Sequence, residues 1–278
     1  MRSPLLYPLL MAFNRIAYPL VKKGWPVITN TFFNKPFRTI LPSGTDVVLN
    51  GIKSHDSEIR LAEYLVLELK EGDTFIDVGA HYGYYSLLAA SIVGKKGKIF
   101  SIEASGSTYK ILKKNIEYDE NIESTNMAAG DSTGSITFYE YPGPYAEYNT
   151  TVQGIYVNQP WYRSVKETIN TVQILVLDDL IKQKGIENAF IKIDAEGGEA
   201  AVLRGLQKSL KEKNLILAVE YLLTSGGSSH HHDAVDILYR DHYKGHAILS
   251  GGELKPIENI DRYLAESGLS SDNIIFKR

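Results

Sequence analysis

The chain contains no cysteine. That excludes disulfides, thiolate zinc sites, cysteine nucleophiles and iron–sulfur clusters. It also fits a reducing compartment, and a cytoplasmic location is the expectation. Charge of one sign is not in excess: 30 Lys and Arg stand against 33 Asp and Glu, for a net −3 and a pI near 6.2. No basic footprint for nucleic acid follows from this balance, and no nucleic-acid partner is expected. Long apolar runs are missing. In the N-terminal segment the longest uncharged stretch, residues 3–14, is too short to span a bilayer. With Arg2 ahead it resembles a signal peptide, but no A-x-A site follows. There is no internal repeat and no low-complexity tract. The dinucleotide fingerprint G-x-G-x-x-G is absent as well, which argues against an NAD-dependent oxidoreductase.

What is present suffices for a sizeable core: 278 residues, 44% hydrophobic and 23% charged. Residues 1–33 are rich in Leu, Pro and aromatics. They read as a packed helix, a membrane-surface anchor that would give peripheral membrane contact, or part of a substrate lid. Residues 37–41 and 46–50 flank Pro42-Ser43-Gly44-Thr45 and predict a β-hairpin. The N-terminal extension therefore covers 1–55 and the main domain 56–278. There, strands and helices alternate, which predicts a mostly parallel sheet covered on both faces. Residues 199–211 are expected to form one helix.

The densest signal is Thr74-Phe75-Ile76-Asp77-Val78-Gly79-Ala80-His81-Tyr82-Gly83-Tyr84-Tyr85-Ser86. An apolar β-branched run ends in an acid, two glycines follow, and a helical pattern begins. Twenty residues after Gly83, a second strand ends in Glu103. This is how doubly wound sheets hold nucleotide-type cofactors: glycines admit the ligand to the backbone and the second acid takes the ribose hydroxyls. Asp77 at the head of the loop would repel a pyrophosphate but suits a cation. The pattern thus favours S-adenosylmethionine, which carries a sulfonium and an ammonium but no phosphate. Without cysteine, radical chemistry on that cofactor is excluded and direct displacement remains.

A second constellation is Ile191-Lys192-Ile193-Asp194-Ala195-Glu196-Gly197-Gly198-Glu199. A buried strand delivers Lys192 and Asp194 to one face at the carboxyl edge, where open α/β sheets bind ligands. Asp194, Glu196, Glu199 and Glu220 are expected to converge there, to bind an amino group, act as general base or hold Mg²⁺. Glu196 and Glu199 read equally as acids at a helix N-terminus. No metal site is assigned. His230-His231-His232 follows a Ser- and Gly-rich loop, and His230 is a candidate for reaching the substrate. Between these blocks lies an insertion, residues 139–170, with six tyrosines and Trp161. It reads as a surface flap or as an aromatic acceptor wall.

With both constellations in hand, the chain resembles the FkbM family of S-adenosylmethionine-dependent methyltransferases. The likeness is carried by Phe75-Ile76-Asp77-Val78-Gly79-Ala80-x-x-Gly83-x-x-Ser86, Ile102-Glu103-Ala104, Leu177-Asp178-Asp179-Leu180 and Ile191-Lys192-Ile193-Asp194-x-Glu196-Gly197-x-Glu199-x-x-Val202-Leu203-x-Gly205. The family implies a class I methyltransferase fold, a Rossmann-like seven-stranded sheet with the last strand antiparallel. It also implies, in the usual case, O-methylation of small molecules or glycans. One departure stands out: Glu103-Ala104-Ser105-Gly106 replaces the frequent Glu-Pro-x-Pro, which should loosen the loop after Glu103.

The expected cofactor residues are Glu58, Asp77, Gly79, Ala80, Tyr82, Gly83, Ser86, Glu103, Ala104, Asn126, Ala128 and Asp194. Among these, Glu103 should take both ribose hydroxyls, Glu58 or Asp77 should lie near the amino-acid end, and 126–128 should edge the adenine. Asp194, Lys192 and Glu220 are the expected catalytic residues. Tyr145, Tyr148, Trp161, Glu196 and His230 are expected to meet a small-molecule or glycan acceptor. N- or carboxyl-methylation and a non-catalytic cofactor-binding module are the alternatives within this cofactor class. Oligomeric state is left open.

Overall fold

Continuous apolar runs become the buried strands of a twisted sheet. In the computed structural model, residues 24–223 and 229–278 are described, 229 and 230 through their backbone only. The chain opens with β1 (Trp25–Asn30), β2 (Pro36–Leu41), α1 (Thr45–Asn50), α2 (Asp56–Glu68), β3 (Thr74–Val78), α3 (Tyr84–Val93), β4 (Lys98–Ile102), α4 (Gly106–Asn115) and β5 (Ile122–Thr125). It continues through β6 (Ala128–Gly130), β7 (Gly134–Glu140), β8 (Thr168–Val176), α5 (Leu177–Lys184), β9 (Asn188–Ile193), α6 (Glu199–Arg204), α7 (Gln207–Glu212) and β10 (Asn214–Leu222). It closes with α8 (Ser229–Arg240), β11 (Lys244–Ile248), β12 (Leu254–Pro256), α9 (Ile260–Ser267) and β13 (Ser271–Lys277).

The main sheet has the order β12-β11-β13-β10-β9-β3-β4-β5. Strands β10, β9, β3, β4 and β5 are parallel, and β13 runs antiparallel between β10 and β11. The expected seven strands are all there. The eighth, β12, is a three-residue antiparallel addition at the edge. Successive strand residues face opposite sides. Phe75, Ile99, Phe190 and Ile275 therefore pack under α1 to α4, while Ile76, Ile191, Leu217 and Phe276 pack under α5 to α9.

Two local expectations need correction. Residues 46–50 are helix α1, not the second arm of a hairpin. Asp46 binds the amides of Val47 at 2.7 Å and Ser54 at 2.9 Å, and Gly51 closes the turn through a bond from its N–H to the Val47 carbonyl. The pairing edge of β2 is taken by β1, from Trp25↔Leu41 to Asn30↔Pro36. The helix expected over 199–211 is broken at Gly205, whose carbonyl accepts from the Asp178 amide at 2.9 Å. A Cβ at Gly205 would sit 2.0 Å from the Gly130 carbonyl oxygen. The break lets α6 close onto β6. The insertion is irregular between its ends. Its flanks pair as β7 and β8 in a separate sheet ordered β6-β8-β7. The structural readings of residues 1–23 lie outside the described residues. Among the described residues, no helix is long and apolar enough to cross a membrane.

Candidate functional site

A cavity of about 480 Å³ opens at the carboxyl ends of β3, β4, β9 and β10. Its floor is backbone. The amides of Gly79 and Ala80 both donate to the Ile102 carbonyl at 3.0 Å, and the Asp194 amide donates to the Val78 carbonyl at 3.1 Å. Gly79 has φ +74°, and a Cβ there would lie 1.8 Å from the Asp194 carbonyl oxygen. Only glycine permits three strand tips to meet so closely.

Glu103 stands beside this loop with its carboxylate already shared. Oε2 accepts from the His81 amide and Oε1 from the Ser105 amide, each at 2.8 Å. Burial pushes its pKa up to about 7; the two amides pull it down, and Asp77 and Glu140 push it further up. Ala80, Tyr82, Ala104 and Ala128 line the cavity with it. Asn126 does not. Its Nδ2 donates to the carbonyls of Glu103 at 2.8 Å and Ala104 at 2.9 Å, bracing the loop from behind.

Asp77 and Ser86 also lie behind the floor rather than in the cavity. Asp77 is 1% exposed and accepts from Ser86 Oγ at 2.6 Å, which in turn accepts from Ser101 Oγ at 2.7 Å. Burial raises the Asp77 pKa, with Lys192 on the neighbouring strand opposing. Gly83 caps α3 in the left-handed region.

Glu58 does line the cavity, paired with Lys53 at 2.9 Å and accepting from the Tyr85 hydroxyl at 2.9 Å. The ammonium of Lys53 lies 5.5 Å from the Tyr85 ring centroid and that of Lys192 lies 5.3 Å from it. Lys192 Nζ donates to Asp194 Oδ2 at 2.9 Å. Burial opposes ionisation of Asp194, but Lys192 and then Lys53 prevail and hold its pKa at about 2. Such a pair, with Lys192 only 3% exposed at its side chain, is costly to break from one side.

Carboxylate oxygens of Asp194, Glu196 and Glu220 lie within 4.8 Å of one another. Burial, and then the charge of Asp194, pushes Glu196 and Glu220 well above the usual carboxylate range. Glu196 sits at φ +47°, a costly region for a non-glycine residue. It is held there by Tyr156, whose hydroxyl donates to its carboxylate, and by Thr150 Oγ1, which donates to its carbonyl at 2.6 Å. Glu199 does not join this cluster. Fully buried, it accepts from the amides of Ala195 at 2.9 Å and Gly197 at 3.1 Å, and so ties down the loop that carries Glu196. His231 Nδ1 lies 3.7 Å from it. A carboxylate opening a helix binds nearby amides in preference to a ligand, which is why three acids converge and not four.

The insertion roofs this end. Tyr148 and Tyr156 line the cavity, whereas Tyr145 and Trp161 do not. Trp161 is stacked between Tyr145 and Tyr148, with ring centroids 4.8 Å away on each side. The side chain of His230 lies outside the described residues. Sequence reasoning missed Lys53, His81 and Tyr156 in the lining. The His81 signal was available, since it sits inside the glycine loop; burial and the two lysines lower its pKa to about 3. Tyr156 was one tyrosine of six, with nothing in the sequence to single it out.

A mostly parallel sheet in this order, with acids at three strand tips around one cavity, defines the class I methyltransferase fold. The chain belongs to the FkbM methyltransferase family: residues 77–245 match the family model described as the methyltransferase FkbM domain. S-adenosylmethionine is the cofactor of this class. The chain is 32% identical over 104 residues to protein-L-isoaspartate O-methyltransferase 2 of Archaeoglobus fulgidus, covering 36% of this chain and 44% of that one. It is 24% identical over 171 residues to hexuronic acid methyltransferase AglP of Haloferax volcanii, covering 61% and 63%. The chain thus spans less than two thirds of either relative. It is also similar to the crystal structure of precorrin-6y C5,15-methyltransferase from Geobacter metallireducens, with TM-score 0.45, 13% identity, and coverage of 87% and 93%.

Proposed function

We propose that this protein transfers the methyl group of S-adenosylmethionine to an oxygen, that of a sugar hydroxyl. The observation that carries the reading is the clustering of Asp194, Glu196 and Glu220 within 4.8 Å in the cavity that also holds Glu103. The residues fit the cofactor. Glu103 keeps lone pairs for ribose hydroxyls after serving two amides, Ala104 and Ala128 offer an apolar edge for adenine, and Lys53 with Glu58 offers both signs for an amino acid. When bound, S-adenosylmethionine supplies an electrophilic methyl on a sulfonium that leaves as a neutral thioether.

Asp194 is the charged member of the cluster and accepts the hydrogen bond of the acceptor hydroxyl. A carboxylate held near 2 is a weak base alone. Glu196 and Glu220, raised well above the usual carboxylate range, hold their own protons beside it, so the proton that Asp194 takes from the acceptor leaves to solvent. Lys192 fixes the orientation of Asp194. Tyr148 and Tyr156 offer ring faces to the acceptor, as suits a sugar. The partial likeness to a hexuronic acid methyltransferase supports a sugar acceptor. The test is transfer of labelled methyl from S-adenosylmethionine to a panel of sugars, uronic acids and glycolipids. Labelled methyl ether in any of them is expected; label only in amines or carboxyls overturns oxygen-ether formation.

A further inference from the structure

The loop after Glu103 has alanine and glycine where proline often stands, yet it is not loose. Proline would fix it covalently through φ. Here a carboxylate from the insertion does so. The hydroxyls of Ser105 and Ser107 both donate to Glu140 Oε1, and the Ser107 amide reaches the same oxygen at 3.3 Å. Glu140 Oε2 accepts from Asn170 Nδ2 at 2.6 Å. Glu140 ends β7, and Asn170 lies on β8 two residues past Thr168, the register partner of Glu140. The same Ser105 that binds Glu140 donates its amide to Glu103 Oε1 and caps α4 by accepting from the Thr108 amide at 3.1 Å. A continuous path of hydrogen bonds therefore runs from the root of the insertion to the carboxylate of Glu103.

We infer that Glu140, which does not itself line the cavity, is a positioning residue for the ribose-binding carboxylate of Glu103. The inference rests on the reading of Glu103 as the ribose acid. It makes the insertion part of the cofactor site as well as the acceptor roof. The same root reaches the acceptor side: Tyr139 and Thr150 exchange backbone bonds at 2.8 and 3.1 Å, and Thr150 Oγ1 holds Glu196. One rigid root thus touches both loops.

The test is calorimetric titration of the full chain with S-adenosylhomocysteine at about pH 8.5, where Glu103, with its pKa near 7, is ionised. Glu140→Ala should weaken binding about tenfold, the scale of one charge-assisted hydrogen bond, with native thermal stability as the folding control. Glu140→Gln keeps an oxygen for both serines and should lose less than about threefold. In a Glu103→Ala background, Glu140→Ala should change affinity by no more than about twofold, because its effect passes through Glu103. Wild-type affinity in Glu140→Ala, or the same loss in the Glu103→Ala background, overturns the inference. If Glu140→Ala does not fold, Ser105→Ala removes the hydroxyl that joins Glu140 to the path and keeps the amide on Glu103; a loss of about threefold supports the inference and unchanged affinity overturns it. A silent Glu140→Ala beside a damaging Glu103→Ala sinks this inference alone. A wild-type chain that does not bind S-adenosylhomocysteine sinks the ribose reading with it.

Discussion

The two ends of the cavity are built differently. At the Glu103 end, polar groups are held by backbone: two amides on the Glu103 carboxylate, two amides on the Ile102 carbonyl, and a glycine at φ +74°. At the Asp194 end they are held by side chains: Lys192, from the same strand, on Asp194, and Tyr156 and Thr150, from the insertion, on Glu196. Backbone scaffolding is indifferent to most substitutions and suits a cofactor that does not vary. Side-chain scaffolding is exchanged residue by residue and suits an acceptor that does. The exception is the cross-tie through Glu140, by which the variable insertion reaches the cofactor end.

The largest expected effect tests the backbone end. Gly79→Ala forces a left-handed φ on alanine and drives its Cβ toward the Asp194 carbonyl. It should cost about 2–5 kcal/mol of stability, read from denaturant unfolding midpoints. A near-native midpoint would mean that the loop yields easily and that the two ends are equally adaptable.

Asp194→Asn tests the other end. It keeps the shape and removes the charge. A fall in kcat of at least about 10²-fold with near-normal cofactor affinity is expected from steady-state kinetics and calorimetry. The reverse pattern, surviving kcat with lost cofactor binding, would move Asp194 to the cofactor end and leave Glu196 or Glu220 as the base.

The dependence on pH sharpens the contrast. Glu103 and Glu199 are both raised to about 7 in the folded chain. Between the ordinary glutamate range and about 7, the folded state binds more protons than the unfolded one. Their contribution to the stability of the ligand-free chain is therefore present at low pH and lost as pH rises through about 7. Cofactor affinity should run the opposite way, rising to about pH 7 and then levelling, because ribose hydroxyls donate to ionised Glu103. Calorimetry between pH 5.5 and 8.5 checks this. Glu103→Gln should flatten the affinity profile, and an unchanged profile in that variant would assign the titration elsewhere.

The smallest effect concerns the roof. Trp161→Ala removes the ring behind Tyr148 and should raise acceptor KM several-fold, on the scale of about 0.5–1.5 kcal/mol for an aromatic pair, without touching cofactor affinity. Equal loss of both would make the ring cluster a structural core.

These differences explain what the sequence disclosed. Backbone-built features need special residues in a fixed local order, and so Gly79, Glu103 and the strand tips at Asp194 and Glu220 were legible. The break at Gly205 was not, because it depends on the approach of β6 from 75 residues earlier. Asp77 was read as facing the ligand, whereas Ser86, itself held by Ser101, draws it under the floor. Tyr156 and Glu140 were invisible for the same reason: each acts through a bond spanning more than 30 residues. Trp161 was noticed for its chemistry but placed one layer too close to the acceptor.

The central claim is that the Glu103 end of this cavity holds S-adenosylmethionine by its ribose. Calorimetric titration of the cofactor into the wild-type chain and Glu103→Ala tests it directly. One equivalent should bind the wild type, and the variant should lose about 1.5–3 kcal/mol, the range for a hydrogen bond to a charged group. Unchanged affinity in the variant, or no binding by the wild type, would contradict the account.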